Sequence, residues 1–156
     1  MEVRADVSDA QMRSYVDALP VPEFDSTAFT IPPPLAEATV AIVTTAGLHR
    51  PEQPGWNALG DQSFRVLDAA DRNLRLGHWS PNFDRSGLSA DLNVAYPIDR
   101  LAELAADGVI GQVASRHISF MGAQDETMST IRLDTGPAAA TLLRDIGVDV
   151  VLLTPV

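Results

Sequence analysis

Cysteine and lysine are both missing from this 156-residue chain. Without cysteine there is no disulfide, no thiolate nucleophile and no cysteine-ligated zinc. Without lysine there is no Schiff-base chemistry, no lysine-bound pyridoxal phosphate and no P-loop. The 11 basic residues are all arginine, and they leave a formal net charge of -10. A balance so acidic disfavours phosphate backbones, so no nucleic-acid partner is expected. No apolar run approaches the roughly 20 residues of a membrane span, and the N-terminus lacks the charged-then-apolar pattern of a signal peptide. The expectation is a soluble, cytoplasmic protein without a membrane partner. These exclusions hold for the residues given.

With 46% hydrophobic residues, the chain can bury one real core. One domain with an arm is expected: residues 1–37 as a helix and proline-rich arm, and 38–156 as an α/β domain. In the arm, Ser8 and Gln11 form a capping box for a helix over 8–19. Met12, Tyr15, Val16 and Leu19 share one face of it, and Pro20 stops it. Pro20, Pro22, Pro32, Pro33 and Pro34 then predict an extended connector, which could embrace a partner subunit.

The run Ala38-Thr39-Val40-Ala41-Ile42-Val43-Thr44 reads as a strand buried on both faces. From there to about Pro97 the chain is an irregular excursion, with strands near Ser63–Leu67 and Asn73–Leu76. A helix over 97–107 follows, with Ile98, Leu101, Leu104 and Ala105 as its apolar stripe and Gly108 closing it. A strand at Gln112–Ile118, a helix over 137–146 capped by Gly147, and a last strand running to Val156 complete the pattern. The fold class expected is α/β, a mainly parallel sheet flanked by helices, flavodoxin-like or Rossmann-like. The final apolar strand reaches the terminus with nothing after it, so the α/β domain is read as incomplete there.

In such a sheet, ligands gather at the carboxyl ends of the strands. Three strand ends should meet: Thr44-Thr45-Ala46-Gly47, His117-Ile118-Ser119-Phe120-Met121-Gly122 and Thr154-Pro155-Val156. Hydroxyls and glycine there allow close approach to a substrate carboxylate, although threonine and glycine also simply end strands well. The candidates for substrate binding are Thr44, Thr45, Gly47, His49, Ser119 and Thr154, with His117 as the acid–base or orienting group. His49, His78 and His117 carry no metal-ligand spacing, so no metal is expected. Asp61 beside Arg65, and Asp84 beside Arg85, read as loop-tying pairs more readily than as a carboxylate clamp.

Five ordered blocks add a family resemblance. They are Ala41–His49, Gly60-Asp61-Gln62-Ser63-Phe64-Arg65, Asp91–Leu101, His117-Ile118-Ser119-Phe120-Met121-Gly122 and Gly147–Val156. Together they resemble the selenoprotein B subunits of glycine, sarcosine and betaine reductases and of D-proline reductase. The resemblance implies an oxidoreductase subunit acting in reductive cleavage of a carbon–nitrogen bond. It implies a small amino-acid-like substrate, a thiol or thioredoxin-type electron donor, and a homo- or hetero-oligomer. It also implies a selenocysteine or cysteine nucleophile just beyond Val156, with no cofactor in these residues. The alternative is a non-catalytic binding or scaffold subunit.

Overall fold

Strand β1 (Thr39–Thr44) organises the protein because its β-branched, uncharged residues tolerate burial on both faces. In the computed structural model, which describes residues 9–18, 23, 25, 27, 30–57, 60–80, 85–124 and 127–156, β1 has only parallel neighbours. Along one edge lie β5 (Gln112–Val113) beside its start and β6 (Arg116–Phe120) beside its end. Along the other lies β7 (Val150–Thr154), paired from Val40↔Val150 to Thr44↔Thr154. Outside β6 runs β3 (Phe64–Asp68), and it is antiparallel, from Phe64↔Phe120 to Asp68↔Arg116. The sheet is therefore mixed, with a parallel centre. A separate antiparallel ribbon joins β2 (Leu48–His49) to β4 (Arg75–Leu76).

Alternation along β1 builds a core on each face. Val40 and Ile42 join Leu48, Leu67, Tyr96 and Ile110 on the side of helix α3 (Ile98–Ala106), where Ile98 and Leu101 are buried. Ala41, with Val43 partly buried, joins Ile118 and Phe120 on the side of helix α4 (Gly136–Asp145), beneath Ala139 and Leu143. A short helix α2 (Ser86–Ala90) precedes α3.

Both long helices end in the same way. Gly147 at φ +76 donates to Arg144 O, and Val148 donates to Leu143 O at 3.0 Å. Gly108 at φ +71 and Val109 repeat the pattern on Ala105 and Leu104. A left-handed residue of this kind satisfies the last carbonyls and turns the chain sharply toward the next strand.

The chain divides into two units, residues 1–31 and 32–156. In the first, helix α1 spans Asp9–Asp17, and Tyr15 is exposed. Ser8, Leu19, Pro20 and Pro22 of the expected arm, the side chains of Met12 and Val16, and Asp84 of the excursion lie outside the described residues. Among the described residues, no helix is long and apolar enough to cross a membrane.

The strand expected over Gln112–Ile118 is two pieces. Between them Ser115 O accepts from Ala69 N–H instead of continuing the ladder to β1. That break leaves a gap beside Ile42, and its filling bears on the site.

Candidate functional site

The carboxyl ends of β1, β6 and β7 converge as their register requires, with Thr44 opposite Ser119 on one side and Thr154 on the other. Beyond β1 the chain folds back over β6. Ala46 N–H donates to Thr44 Oγ1 at 3.2 Å, Gly47 N–H to Phe120 O at 2.9 Å and Leu48 N–H to Ser119 Oγ at 2.8 Å. Thr44 and Ser119 are fully buried, so their hydroxyls shape this turn. Thr154 Oγ1 donates to Ala95 O at 2.9 Å. Thr45 stands further out. Its N–H donates to Thr154 O, and its hydroxyl accepts from Val156 N–H at 2.9 Å and lies 3.2 Å from Val156 O.

Thr44, Thr45, Gly47, Ser119 and Thr154 are thus brought together. His49 is not placed with them: it sits on the β2–β4 ribbon opposite Arg75, with Nδ1 2.9 Å from Arg50 O.

His117 lies beneath the edge, not at it. It is fully buried, and its Nδ1 accepts from Ile42 N–H at 2.9 Å, across the gap between β5 and β6. A ring nitrogen there replaces the missing ladder partner, which a buried N–H requires. With Nδ1 accepting, the proton of the neutral ring sits on Nε2. Nε2 has no hydrogen-bond partner among the described residues, and the ring meets Tyr96 edge-on at 5.5 Å. Burial pushes the His117 pKa down to about 4, and pushes the Tyr96 phenol up. The ring is neutral near pH 7.

The histidine that does reach the strand ends is His78, which no spacing or periodicity singled out. A Cβ placed on Gly122 would lie 2.7 Å from His78 Nε2, 2.8 Å from Val156 O and 2.9 Å from Thr45 O. Burial, and then the Arg85 guanidinium, hold the His78 pKa below the ordinary histidine range. Among the described residues, no group of three or more metal-ligating side chains comes together.

The acidic loop at Asp61 behaves as a tie. Burial opposes ionisation of Asp61, but the hydroxyl of Ser63, the N–H groups of Asn57 and Ser63, and then Arg65 outweigh it, and its pKa is lowered. Arg65 lies 3.9 Å from Asp61, stacks 4.3 Å from the Trp56 ring centroid, and donates to Pro54 O and Gly55 O. Its donors are spent on backbone, which leaves little for a substrate carboxylate.

The sequence profile of the glycine/sarcosine/betaine reductase selenoprotein B family matches residues 7–156. This chain belongs to that family. Two curated relatives show how far the likeness extends. The D-proline reductase subunit gamma of Acetoanaerobium sticklandii is 35% identical over 150 residues, covering 95% of this chain and 59% of the relative. The glycine reductase complex component B subunit gamma of Carboxydothermus hydrogenoformans is 28% identical over 153 residues, covering 90% of this chain and 33% of the relative. This chain therefore spans less than two thirds of the first relative and a third of the second. No solved structure matches it. All five blocks that carried the resemblance fall inside the matched residues.

Proposed function

We propose that this chain is part of the substrate-binding half of a reductase that cleaves the carbon–nitrogen bond of a small amino acid or related amine. The observation that carries the reading is the family match over residues 7–156, which include the joined carboxyl edges of β1 and β7. In the reaction class, the carbon–nitrogen bond becomes a C–H and an N–H bond. Two electrons and two protons come from a dithiol or thioredoxin-type donor, which leaves as its disulfide.

A selenol or thiol following Val156 would supply the soft, ionised nucleophile that no side chain in these residues can offer. Gly122 lets the strand ends approach closely, since a Cβ on it would stand only 2.7 Å from His78 Nε2, 2.8 Å from Val156 O and 2.9 Å from Thr45 O. In this reading Thr45, Gly47 and Thr154 line the edge that receives the substrate, while Thr44 and Ser119 hold the turn. His49 approaches it only through the ribbon. His117 acts on it through β1 and β6, by keeping Ile42 satisfied, rather than as the acid–base group. A flavodoxin-like arrangement, with a further parallel strand beyond β7, accords with this placement.

The coding DNA downstream of Val156 tests the proposal. A TGA codon followed in frame by further α/β sequence supports it, and a TAA codon with unrelated sequence overturns it.

A second reading, a binding subunit that works only in an oligomer, draws on the surface beside β7. Val151, Leu152 and Leu153 are 38%, 38% and 68% exposed. Beside them is an apolar recess of about 400 Å³ lined by Val43, Phe120, Ala139, Leu143, Val148 and Leu153. Exposed apolar sheet edges of this kind are ordinarily covered. Sedimentation of the chain at micromolar concentration separates the cases: an oligomer weakened by Leu153→Glu supports this reading, and a stable monomer without dye-binding surface removes it.

A further inference from the structure

The block Asp91–Leu101 offers the strand ends a backbone carbonyl, Ala95 O. The segment that presents this carbonyl is built around one side chain. Asn93 Oδ1 accepts from Asp99 N–H at 3.0 Å, while Asn93 Nδ2 donates to Asp91 Oδ1 at 2.9 Å and to Asp99 Oδ2 at 3.0 Å. Asp91 Oδ1 also accepts from Asn93 N–H, and Arg72 holds the other oxygen of Asp99 at 3.0 Å. The amide has one workable orientation, because a flip would set its oxygen against two carboxylates. Hydrogen bonds from Asn93 hold both carboxyls below the ordinary aspartate range.

This network braces the turn that leads into α3. Within it Ala95 N–H and Tyr96 N–H both donate to Leu92 O, at 3.2 and 2.9 Å, and both residues are fully buried. The direction of the Ala95 carbonyl is therefore set by the turn. Its partner is Thr154 Oγ1, 59 positions further on, at 2.9 Å. Thr154 is held on its other side as well: its carbonyl accepts from Thr45 N–H at 3.2 Å and from the Thr44 hydroxyl at 3.4 Å. The last residue of β7 thus joins the end of β1 to the turn before α3.

We propose that Asn93 and Thr154 are positioning residues of the strand-end site. Asn93 fixes the turn that presents Ala95 O, and Thr154, seated on that carbonyl and on Thr45 N–H, fixes where the chain leaves β7. The hydroxyl of Thr154 serves by aiming the strand end. The importance of the group that follows rests on the reductase reading, whereas the anchoring of β7 does not.

Amide hydrogen exchange of the full 156-residue chain tests the inference, with Thr154→Val, Thr154→Ser, Asn93→Asp and the double variant of Asn93→Asp with Thr154→Val. Valine keeps the shape of threonine without the donor, and serine keeps the donor. Aspartate keeps the shape of asparagine but sets a third carboxylate against Asp91 and Asp99. Thr45 N–H reports the seat of β7 through its bond to Thr154 O, and Ala114 N–H, bonded to Val40 O at 2.9 Å, reports the far end of β1. Thr45 N–H should exchange about tenfold faster in Thr154→Val and stay within about threefold of the parent in Thr154→Ser. In Asn93→Asp it should exchange about fivefold faster, although the substitution lies outside both strands. The double variant should exchange no faster at Thr45 than Thr154→Val, since both changes act through one bond. Ala114 N–H should be unchanged throughout. An unchanged Thr45 rate in Thr154→Val or in Asn93→Asp, no recovery with serine, multiplied rates in the double variant, or equal acceleration at Ala114 would each overturn it. The experiment involves no turnover, so its failure leaves the reductase reading standing, and a failed coding-DNA test leaves the anchoring standing.

Discussion

Replacing His117 by asparagine should flatten the pH dependence of stability between pH 7 and pH 5. In the folded protein burial holds His117 at a pKa of about 4, against an ordinary value of 6.5. Between those values the unfolded chain binds a proton that the folded chain refuses, so folding weakens as pH falls. The loss amounts to about 2 kcal/mol at pH 5 and reaches about 3 kcal/mol below pH 4. Asparagine cannot titrate, yet its Oδ1 can take the place of Nδ1 and accept from Ile42 N–H. Alanine cannot, and it leaves a buried donor and the space of the ring that met Tyr96. His117→Ala should therefore cost about 3 kcal/mol at pH 7. Urea denaturation of the parent and of His117→Asn, at pH 7 and pH 5, gives the double difference. Groups common to both cancel, His78 included. If the two proteins lose the same stability between pH 7 and pH 5, the account of His117 as a buried neutral acceptor is refuted.

Three further outcomes can be checked alongside. Gly147→Ala should cost about 1 kcal/mol in urea denaturation, because its left-handed φ disfavours a side chain while nothing surrounds the added Cβ. Asp61→Asn should be less stable than the parent at pH 7. Because the folded pKa of Asp61 is lowered, that advantage is full above pH 3.8 and disappears as pH falls through the folded value, which denaturation curves at pH 7 and pH 3 would show. The 156-residue chain with dithiothreitol should release no ammonia or amine from glycine, sarcosine or betaine and should not open the proline ring, since it has no cysteine; measurable turnover would sink the assignment of the nucleophile.

What could be read from the sequence follows the range of the forces involved. The helices at Ile98–Ala106 and Gly136–Asp145 are written locally, in their apolar spacing and in Gly108 and Gly147. β1 is equally legible, because an uncharged β-branched run suits a strand covered on both faces. The strand ends carrying Thr44, Ser119 and Thr154 meet as a parallel sheet demands. The antiparallel seating of β3 on β6 was not legible, since Phe64–Asp68 suits either direction. Nor was the break at Ala114–Ser115, because the compensating group is a side chain, His117, facing Ile42 from 75 positions away. The place of His78 was not legible for the same reason: it depends on Gly47, Trp56 and Gly122, and nothing near it in sequence announces them.

The position of β1 between β6 and β7 also dictates an order of events during synthesis. Thr39 N–H waits for the Asp149 carboxylate, 110 positions further on, and every pairing of Val40–Thr44 with β7 spans the same interval. Contacts at such separations close late and slow folding. On the ribosome, β1 can acquire β5 and β6 while its other edge stays open. A nascent chain held in that state exposes backbone donors and acceptors beside an apolar strand, the condition that invites mispairing and chaperone capture. Whatever sequence context accompanies these residues, their folding is gated by the arrival of Val150–Thr154.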